Sequence, residues 1–410
     1  MNKPIGTDAL GAQAPTPFKQ HLIDPEICIR CYTCEMTCPI GAIEHNDDNV
    51  VVDADKCNFC MDCIPVCPTG SIDEWRVLPS RDDAYSVEAQ FEWEELPDQQ
   101  EISVPAASEE GDHLDDAIAA LLADAHKGAG GKAVAPASAN KPAINMYNLG
   151  KPAELTVQGN YRLTDDPSHD VRHIILDPGA LPFPVLEGQS IGVIPPGTDE
   201  KGQAHLPRLY SVSSPRDGER PGYNNISLTV KREDGGIASN FLCDLRTGDR
   251  VNVTGPFGTT FLMPNADDAR LLMICTGTGS APMRAFTMQR QRAGRATGDM
   301  TLFFGARTPE SLPYFGPLKK VPETLLKQHM VFSRIEGQPK EYVQHRMEVE
   351  ADAVAELLAD PNTHIYICGL RGMEDGVEKA LTSIAESMGE QWVALRDAMR
   401  EEGRYHVETY

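Results

Sequence analysis

Two runs of cysteine near the amino end carry the residue type and spacing of metal ligands. The first run reads CIRCYTCEMTCP from residue 28, and the second reads CNFCMDCIPVCP from residue 57. Both have the spacing CxxCxxCxxxCP, so the unit is an internal repeat with an offset of 29 residues. The chain has 11 cysteines. We expect them to be metal ligands or buried thiols rather than disulfides, because a reducing compartment keeps thiols free.

The spacing of both runs favours two cubane [4Fe–4S] clusters. Each cluster has four iron corners that each take one thiolate, and in two-cluster ferredoxins the fourth cysteine of a run binds the other cluster. On that rule one cluster is bound by Cys28, Cys31, Cys34 and Cys67, and the other by Cys57, Cys60, Cys63 and Cys38. Structural zinc is the alternative, since four thiolates also suit Zn²⁺. Zinc sites, however, typically bring two separated CxxC pairs, sometimes with histidine.

The overall charge limits the partners that this chain can have. It carries 61 Asp and Glu against 37 Lys and Arg in 410 residues, a net charge of -24. Such a chain repels phosphate, so we expect neither nucleic-acid nor membrane-surface binding, whereas a basic protein partner fits. No apolar run approaches the roughly 20 residues of a membrane helix. The first residues lack the apolar stretch of a signal peptide, which predicts a cytoplasmic protein.

Changes of pattern divide the chain into four parts. Residues 21–80 hold the repeat, and residues 81–150 are acidic and rich in small residues, which predicts a mobile linker with a short helix at 114–127. Residues 151–266 contain short strands separated by Pro and Gly, as in an antiparallel β-barrel. Residues 267–410 alternate strand and helix, as in a parallel α/β domain. The predicted fold is therefore multidomain, α+β followed by α/β.

The stretch ISLTVKR illustrates the strand pattern. Apolar residues at 226, 228 and 230 alternate with polar residues at 227, 229 and 231, as in a half-buried strand.

A glycine-rich loop, TGTGSAP, follows the apolar strand RLLMIC. Gly277 and Gly279 would let the backbone approach a pyrophosphate, and the next helix would offer free N–H groups to it. Pro282 suits a first helical turn, although it stands where GxGxxG has its third glycine. A tight turn without a ligand is the alternative for this motif alone.

Eight motifs from residue 208 onward occur in the order and spacing of a known family. They are RLYSVSS, ISLTVKR, GIASNFLCDLRTGD, GPFG, TGTGSAP, SRIEGQPKEYVQ, YICGLRGME and the terminal YHVETY. Residues from about 150 to 410 thereby resemble the plant-type ferredoxin–NADP reductases. The resemblance implies an FAD-binding barrel, an NADP-binding α/β domain and hydride transfer from NADPH to FAD.

The resemblance also implies which residues hold FAD. An arginine supplies a cationic fork for a flavin phosphate, and a tyrosine ring can lie along the isoalloxazine. The implied set is Arg208, Leu209, Tyr210, Ser211, Thr229, Val230, Lys231, Ile237, Ala238 and Ser239, with Tyr410 stacked where nicotinamide must enter. Taken singly, such residues are more often core tyrosines, capping serines or a frayed chain end.

For NADPH, the resemblance implies a 2′-phosphate site at Ser333, Arg334, Lys340 and Tyr342, and further contacts at Gly277, Thr278, Gly279, Gly369 and Leu370. Two cations, a hydroxyl and a ring would counter a dianion and stack on adenine, whereas NADH enzymes tend to carry an acidic residue. A solvated loop is the alternative. The resemblance implies Ser211, Cys368 and Glu408 as catalytic residues that position hydride transfer. Cys243, Cys275 and Cys368, taken singly, are typical of small buried hydrophobes.

Together these parts predict electron flow from NADPH through FAD and two [4Fe–4S] clusters to an outside acceptor. The order of ferredoxin, acidic linker and reductase resembles the reductase components of benzoyl-CoA 2,3-epoxidases, which supply a separate di-iron oxygenase in aromatic compound degradation. A general ferredoxin–NADP oxidoreductase with its acceptor fused is one alternative. A non-enzymatic redox-sensing subunit is the other.

Overall fold

A computed structural model describes residues 18–60, 62–64, 66–72, 74–98, 120, 134–198, 202–220, 223–294 and 300–410. The described residues divide into two compact units. The ferredoxin unit comprises residues 18–98 and 179–182, and the reductase unit comprises residues 134–178 and 183–410. Within the described ranges, none of the helices has the length and apolar character that crossing a bilayer requires.

The ferredoxin unit is built from the two cysteine runs and two small antiparallel strand pairs. Strand β1 (Phe18–Leu22) pairs with β4 (Glu74–Leu78), and β2 (Ile43–His45) pairs with β3 (Val50–Val52). Helix α1 (Thr33–Thr37) lies inside the first run. The core of this unit is small and combines apolar side chains with cysteines, namely Ile23, Cys34, Ile43, Val50, Val52, Cys63 and Ile72.

The ferredoxin unit extends to residue 98, beyond the predicted boundary at residue 80. A 3₁₀ turn (Arg81–Asp83) and helix α2 (Val87–Phe91) follow β4. The Gln90 amide donates to Val52 O at 2.9 Å and accepts from Val52 N at 3.2 Å. Asn49 Nδ2 donates to Trp93 O at 2.7 Å. Acidic composition suggested a linker here, but buried amides can dock an acidic segment as well as apolar side chains do.

The predicted linker is also shorter at its other end. Residues from 134 onward pack on the reductase unit: Tyr147 N donates to Gly255 O at 3.0 Å, and its ring stacks on Phe183 with centroids 5.2 Å apart. Gln189 Nε2 donates to Ala143 O at 2.9 Å. What is left of the linker and of its predicted helix lies outside the described residues apart from Ala120.

The first part of the reductase unit is an antiparallel barrel, as predicted. Its strands are β5 (Ala153–Arg162), β6 (Val171–Asp177), β7 (Ser190–Ile194), β8 (Arg208–Ser211), β9 (Ile226–Lys231) and β10 (Arg250–Phe257), in the order β8-β7-β10-β5-β6-β9. A β-bridge between Val212, directly after β8, and Leu228 of β9 closes the barrel. Helix α3 (Ile237–Asp244) follows β9.

Strand β9 is buried on both faces, so the half-buried expectation for ISLTVKR is wrong. Its polar residues Ser227 and Thr229 are 0% and 4% exposed. Ser227 Oγ donates to Glu219 Oε2 at 2.9 Å, and Thr229 Oγ1 lies 2.6 Å from the Tyr314 hydroxyl. Residues outside the strand cover this face and satisfy its hydroxyls, Glu219 from the preceding segment and Tyr314 from 85 residues further along the chain.

A five-stranded parallel sheet completes the reductase unit, confirming the predicted α/β domain. Its strands are β11 (Arg270–Thr276), β12 (Met300–Ala306), β13 (Leu326–Phe332), β14 (Thr363–Gly369) and β15 (Tyr405–Thr409), in the order β13-β12-β11-β14-β15. The helices are α4 (Ser280–Arg292), α5 (Phe315–Leu318), α6 (Val343–Val349), α7 (Ala351–Ala359), α8 (Arg371–Ser387) and α9 (Trp392–Glu401). All five carboxyl ends lie at one edge, where α/β proteins bind ligands.

The parallel sheet has a core on each face. Along β14, Ile365 and Ile367 belong to one core, and Tyr366 and Cys368 belong to the other. Because every residue of this strand is buried, its side chains cannot alternate between core and solvent.

We predict that Gln90→Ala destabilises the ferredoxin unit by about 2–4 kcal/mol, because the change leaves the buried Val52 N–H and C=O without their partner. Thermal loss of visible cluster absorbance from the full chain measures the effect. Glu88→Ala, at an exposed position of the same helix, is the matched control. Equal midpoints for both variants would mean that residues 81–98 do not stabilise this unit.

Candidate functional site

In the structure, the Cys38 side chain shares a cavity with the cysteines of the second run. Cys38, Cys57, Cys60 and Cys63 line one cavity, together with apolar side chains that include Ile43 and Val52. Burial raises the pKa of the Cys63 thiol to about 12, and the nearby Cys57 and Cys60 add to the rise. Such a thiol needs bound metal to remain deprotonated near neutral pH.

Cys67 in turn lies with the cysteines of the first run. Burial raises the pKa of Cys34 to about 11, and the neighbouring Cys28 and Cys67 contribute to that rise. The nearby Cys67 also tends to raise the pKa of the Cys31 thiol. The hydrogen bond from Thr33 outweighs this effect and lowers that pKa. The two sets are therefore crossed in space, with three sulfurs from one run and one from the other.

Hydrogen-bond donors and a repeated turn surround these sulfurs. Ala42 N donates to Cys38 Sγ at 3.2 Å, and Ser71 Oγ lies 3.4 Å from Cys67 Sγ. Burial would raise the pKa of Cys67, but hydrogen bonds from Ser71 and Thr69 lower it to about 7. Donors to cysteine sulfur are one of the means by which proteins set cluster potential.

Each cysteine run ends in the same turn. After each Cys-Pro pair the chain reverses at a glycine with positive φ, Gly41 at 63° and Gly70 at 74°. A left-handed residue at this point suits glycine. The turn thus carries the chain away from each fourth cysteine.

The donor set fits iron–sulfur clusters. Within the described ranges, no three His, Cys, Asp or Glu side chains are close enough together to hold a single metal ion. The eight cysteines instead form the two wider sets described above.

Apart from Tyr410, the predicted FAD residues lie on β8, β9 and helix α3. Arg208, Tyr210 and Ser211 lie on β8, where Ser190 Oγ donates to Ser211 Oγ at 3.4 Å. Arg208 is exposed and Tyr210 half-buried. Burial raises the pKa of the Tyr210 phenol, so the ring stays neutral. The backbone around Leu209 pairs with Gly192 of β7.

Helix α3 begins at Ile237 with Gly236 as its N-cap and no capping side chain. Its first N–H groups are therefore available to a phosphate. Ile237 is 56% exposed, whereas Ala238 and Ser239 are buried. Ser239 Oγ donates to Gly236 O at 3.3 Å and accepts from Glu233 N at 3.2 Å, which fixes the turn into the helix.

Two of the predicted FAD residues have side chains that face the protein interior. Val230 is 0% exposed, and Thr229 is engaged with Tyr314. Lys231 is partly exposed and pairs with Glu233, with Nζ and Oε1 2.5 Å apart. From this stretch, only the backbone and the Lys231 side chain can reach a ligand.

The carboxyl edge of the parallel sheet gathers the residues predicted to surround nicotinamide. Cys275 of β11 pairs with Cys368 of β14, which pairs with Glu408 of β15. The hydroxyls of Thr278 and Tyr410 are 2.6 Å apart. Three neighbouring strands thus place the loop, the thiol and the carboxyl group side by side.

The terminal tyrosine is anchored rather than frayed. Tyr410 N donates to Gly369 O at 3.0 Å, and Tyr410 O accepts from Arg371 N at 3.3 Å. Thr409 Oγ1 donates to Glu374 Oε2 at 2.8 Å. The Tyr410 side chain remains 49% exposed. The ring is therefore held at the sheet edge but accessible there.

Burial governs the ionisation of the two candidate catalytic groups at this edge. It raises the pKa of Glu408 to about 8, so that the carboxyl is mostly protonated at neutral pH. It also holds the pKa of the Cys368 thiol well above its usual range. Cys368 is thus a neutral, unreactive thiol, which favours positioning over covalent chemistry. Ser211 lies on the barrel, apart from these two strands in the fold.

Gly279 allows the loop to pass close to β14. A Cβ added at Gly279 would lie 2.1 Å from Cys368 O. Gly277 has φ of 55° and starts the 3₁₀ turn before helix α4. Gly277 therefore allows the turn, and Gly279 allows the close packing of the loop against β14. Leu370 follows β14 and is 60% exposed beside this loop.

The residues predicted to hold the 2′-phosphate follow β13. Ser333 N donates to Ala306 O at 3.1 Å, and Arg334 N donates to Arg307 O at 2.8 Å, which fixes the start of the loop. The Arg334, Lys340 and Tyr342 side chains are exposed. Two cations and a ring thus face solvent along one loop.

Sequence reasoning missed a buried polar network that joins the barrel to helix α4. Arg284 Nη1 donates to Glu219 Oε2 at 2.9 Å and to Ser213 O at 2.7 Å. His173 Nε2 is 3.4 Å from Glu219 Oε2, and its Nδ1 is 2.9 Å from the Tyr314 hydroxyl. Burial would raise the pKa of Glu219, but His173 and Arg284 hold it well below its usual range. Arg284 lies on helix α4, two residues after the TGTGSAP loop, and no local pattern indicates a partner 65 residues away in the chain.

Comparison with known proteins agrees with this division of the chain. Residues 27–71 match the family described as 4Fe-4S dicluster domain, and residues 273–379 match the oxidoreductase NAD-binding domain family. A ferredoxin–NADP reductase from the cyanelle of Cyanophora paradoxa is 39% identical over 261 residues, covering 59% of this chain and 71% of that protein. One from Spirulina sp. is 37% identical over 288 residues, covering 65% of this chain and 98% of that protein.

Solved structures show the same fold. A ferredoxin-NADP+ reductase from Plasmodium falciparum with 2'P-AMP is 25% identical and has a TM-score of 0.51, covering 66% of this chain and all of that one. The reductase relatives are NAD(P)-dependent oxidoreductases, and the dicluster match accounts for the amino-terminal part. The chain belongs to the ferredoxin–NADP reductase family and carries a 4Fe-4S dicluster domain in the same polypeptide.

Proposed function

We propose that this oxidoreductase takes electrons from NADPH and passes them through FAD and two [4Fe–4S] clusters to a separate protein acceptor. The observation that carries the proposal is the sheet edge, where Thr278, Cys368, Glu408 and Tyr410 meet, in the same chain as two crossed cysteine sets. When bound, FAD accepts the two electrons of a hydride and releases them singly.

On the barrel, the chain's own residues hold and orient FAD. Arg208 faces solvent and provides a fixed cation for a flavin phosphate, and the open N-terminus of helix α3 provides N–H groups for another. Tyr210 offers a ring face, and Ser211 supplies a hydroxyl near flavin N5 by the family likeness. Tyr410 covers the position where nicotinamide enters.

At the sheet edge, the chain orients NADPH. The backbone of 277–279 approaches the pyrophosphate, and Gly369 and Leu370 line its path. Arg334 and Lys340 balance the charge of a 2′-phosphate, and Tyr342 offers a ring to adenine. Cys368 and Glu408 place nicotinamide against the flavin without forming a bond to it. The relative solved with 2'P-AMP supports the phosphate site by analogy.

In the ferredoxin unit, Cys28, Cys31, Cys34 and Cys67 would hold one cluster, and Cys57, Cys60, Cys63 and Cys38 the other. We place the protein in the cytoplasm, where thiols stay reduced.

For the acceptor, we propose the di-iron oxygenase component of a benzoyl-CoA 2,3-epoxidase. The support is the order of ferredoxin and reductase units in one acidic chain, which suits delivery of single electrons to a partner that carries the oxygen chemistry. A general ferredoxin–NADP oxidoreductase would reduce unrelated low-potential acceptors equally well. A redox-sensing subunit would show negligible turnover.

The test is anaerobic purification with analysis of iron, sulfide and flavin, followed by assays with NADPH and NADH. We expect about eight irons and one FAD per chain. NADPH should reduce ferricyanide faster than NADH does, and benzoyl-CoA should be oxygenated only with the di-iron component present. Protein that lacks flavin, or that ignores NADPH, would contradict the oxidoreductase proposal.

Crossed ligation predicts an unequal outcome for two double variants. Cys38→Ser/Cys57→Ser removes two ligands of one cluster, so about four irons should remain per chain. Cys28→Ser/Cys38→Ser removes one ligand from each cluster, so both clusters should be weakened or lost. Iron analysis and electron paramagnetic resonance of the reduced protein measure this. The reverse ranking would show that each run binds its own cluster.

We predict that ionisation of Glu408 causes an inflection in the pH profile of flavin reduction by NADPH. Since burial raises its pKa to about 8, the carboxylate forms above that pH, beside the nicotinamide that becomes positive as hydride leaves. The rate of flavin reduction by NADPH in stopped flow should rise through pH 8 in the wild type. Glu408→Gln should remove the inflection, and Glu401→Gln, at an exposed position, should keep it. An inflection that survives Glu408→Gln would assign it to another group.

A further inference from the structure

The two cysteine runs differ in polarity at matching exposed positions. With the repeat offset of 29 residues, Ile27 corresponds to Lys56, and Ile29 corresponds to Asn58. All four side chains are exposed, with Ile27 at 47% and Ile29 at 62%. The fold therefore presents the same positions at both cysteine sets, apolar at the first and polar at the second.

Exposed apolar side chains of the ferredoxin unit are concentrated at the first run. Among its described residues, the large exposed ones are Ile27, Ile29, Met36 and Ile40. Ile40 also lines the cavity of Cys38, Cys57, Cys60 and Cys63, so it belongs to the second set. The other three form what we call the apolar rim: Ile27 and Ile29 flank Cys28, and Met36, 76% exposed, follows Cys34.

Exposing this rim is unfavourable in an isolated unit. Each large apolar side chain left in water forgoes part of the free energy that its burial would provide. Three exposed apolar side chains within ten residues of the chain, beside the cysteines of one run, make a candidate binding surface. The second run shows that the repeat tolerates polar residues at the two isoleucine positions, so packing within the unit does not require isoleucine there.

Charge identifies the kind of partner. Residues 18–98 hold 18 acidic and five basic residues. Residues 134–410 are themselves acidic overall, with 35 acidic and 29 basic residues. A strongly acidic unit with an exposed apolar rim complements a partner that combines an apolar patch with basic residues.

The covalent link between the ferredoxin and reductase units also favours an external partner for the apolar rim. The reductase unit belongs to the same polypeptide, so its effective concentration is high without a strong docking surface. A separate acceptor must offset the entropy of association with its own contacts, and buried apolar side chains supply most of that free energy.

We propose that the apolar rim of Ile27, Ile29 and Met36 is the docking surface for an external electron acceptor with a basic border, and that electrons leave through the cluster of Cys28, Cys31, Cys34 and Cys67. This rests on the proposed function, in which NADPH supplies the electrons. One electron passes per encounter: that cluster is oxidised by one electron, the acceptor is reduced by one, and no proton moves.

The test measures binding without turnover. Ferric mitochondrial cytochrome c, a basic protein with an exposed haem edge, serves as the probe, and calorimetry of the oxidised holoprotein at low ionic strength gives its Kd. The variant is Ile27→Gln/Ile29→Asn, whose second change copies the second run. Val393→Asn, at a position 59% exposed in the reductase unit, is the matched control. We expect the Kd to rise about tenfold in the double variant and to stay within twofold in the control.

Three checks keep the result interpretable. Iron and sulfide content must match the wild type, which shows that the ferredoxin unit has folded. NADPH-dependent ferricyanide reduction should be unchanged, and its absence in the wild type would overturn the proposed function while leaving the Kd comparison intact. An unchanged Kd in the double variant would overturn the docking surface. So would a wild-type dimer that the double variant abolishes, since the rim would then bind a second copy of this chain.

Discussion

A partly buried ion pair between Glu219 and Arg284 joins the barrel to the parallel sheet domain within the reductase unit. Glu219 belongs to the segment that covers strand β9 of the barrel, and Arg284 lies on helix α4 directly after the glycine loop. Removing one partner would leave a mostly desolvated charge without compensation, which destabilises the fold. The pair, with His173 and Tyr314 beside it, therefore fixes the dinucleotide loop against the barrel that is proposed to hold FAD.

That constraint explains why the candidate hydride-transfer site can be assembled from distant segments. Tyr410, Cys368 and Thr278 come from three parallel strands or the loops after them, so the sheet alone sets their spacing. The proposed flavin side comes from β8 and helix α3 on the barrel. Only a rigid connection between barrel and sheet keeps the two sides in register, and a displacement of about 1 Å can cost orders of magnitude in rate.

In the ferredoxin unit, the two cysteine runs exchange their fourth cysteines. Each run supplies three sulfurs to its own set and its fourth sulfur to the other set, Cys38 to the second run and Cys67 to the first. The two sets are therefore interdependent. The apolar rim breaks this symmetry at the surface, which gives the two sets different surroundings although the repeat that builds them is the same.

The sequence by itself determined the chemistry that the chain could host. Cysteine spacing, the glycine loop and the alternation of strand and helix are local patterns, and the barrel and the parallel sheet agree with them. Tertiary structure alone decided what covers each surface. Acidic composition could not reveal that Gln90 docks residues 81–98 onto β3, and two-residue alternation could not reveal that Ser227 and Thr229 are buried. Nor could a motif pair Arg284 with Glu219. The physical reason is the same in each case: local spacing fixes which way a side chain points, whereas its environment is set by contacts with other segments of the chain.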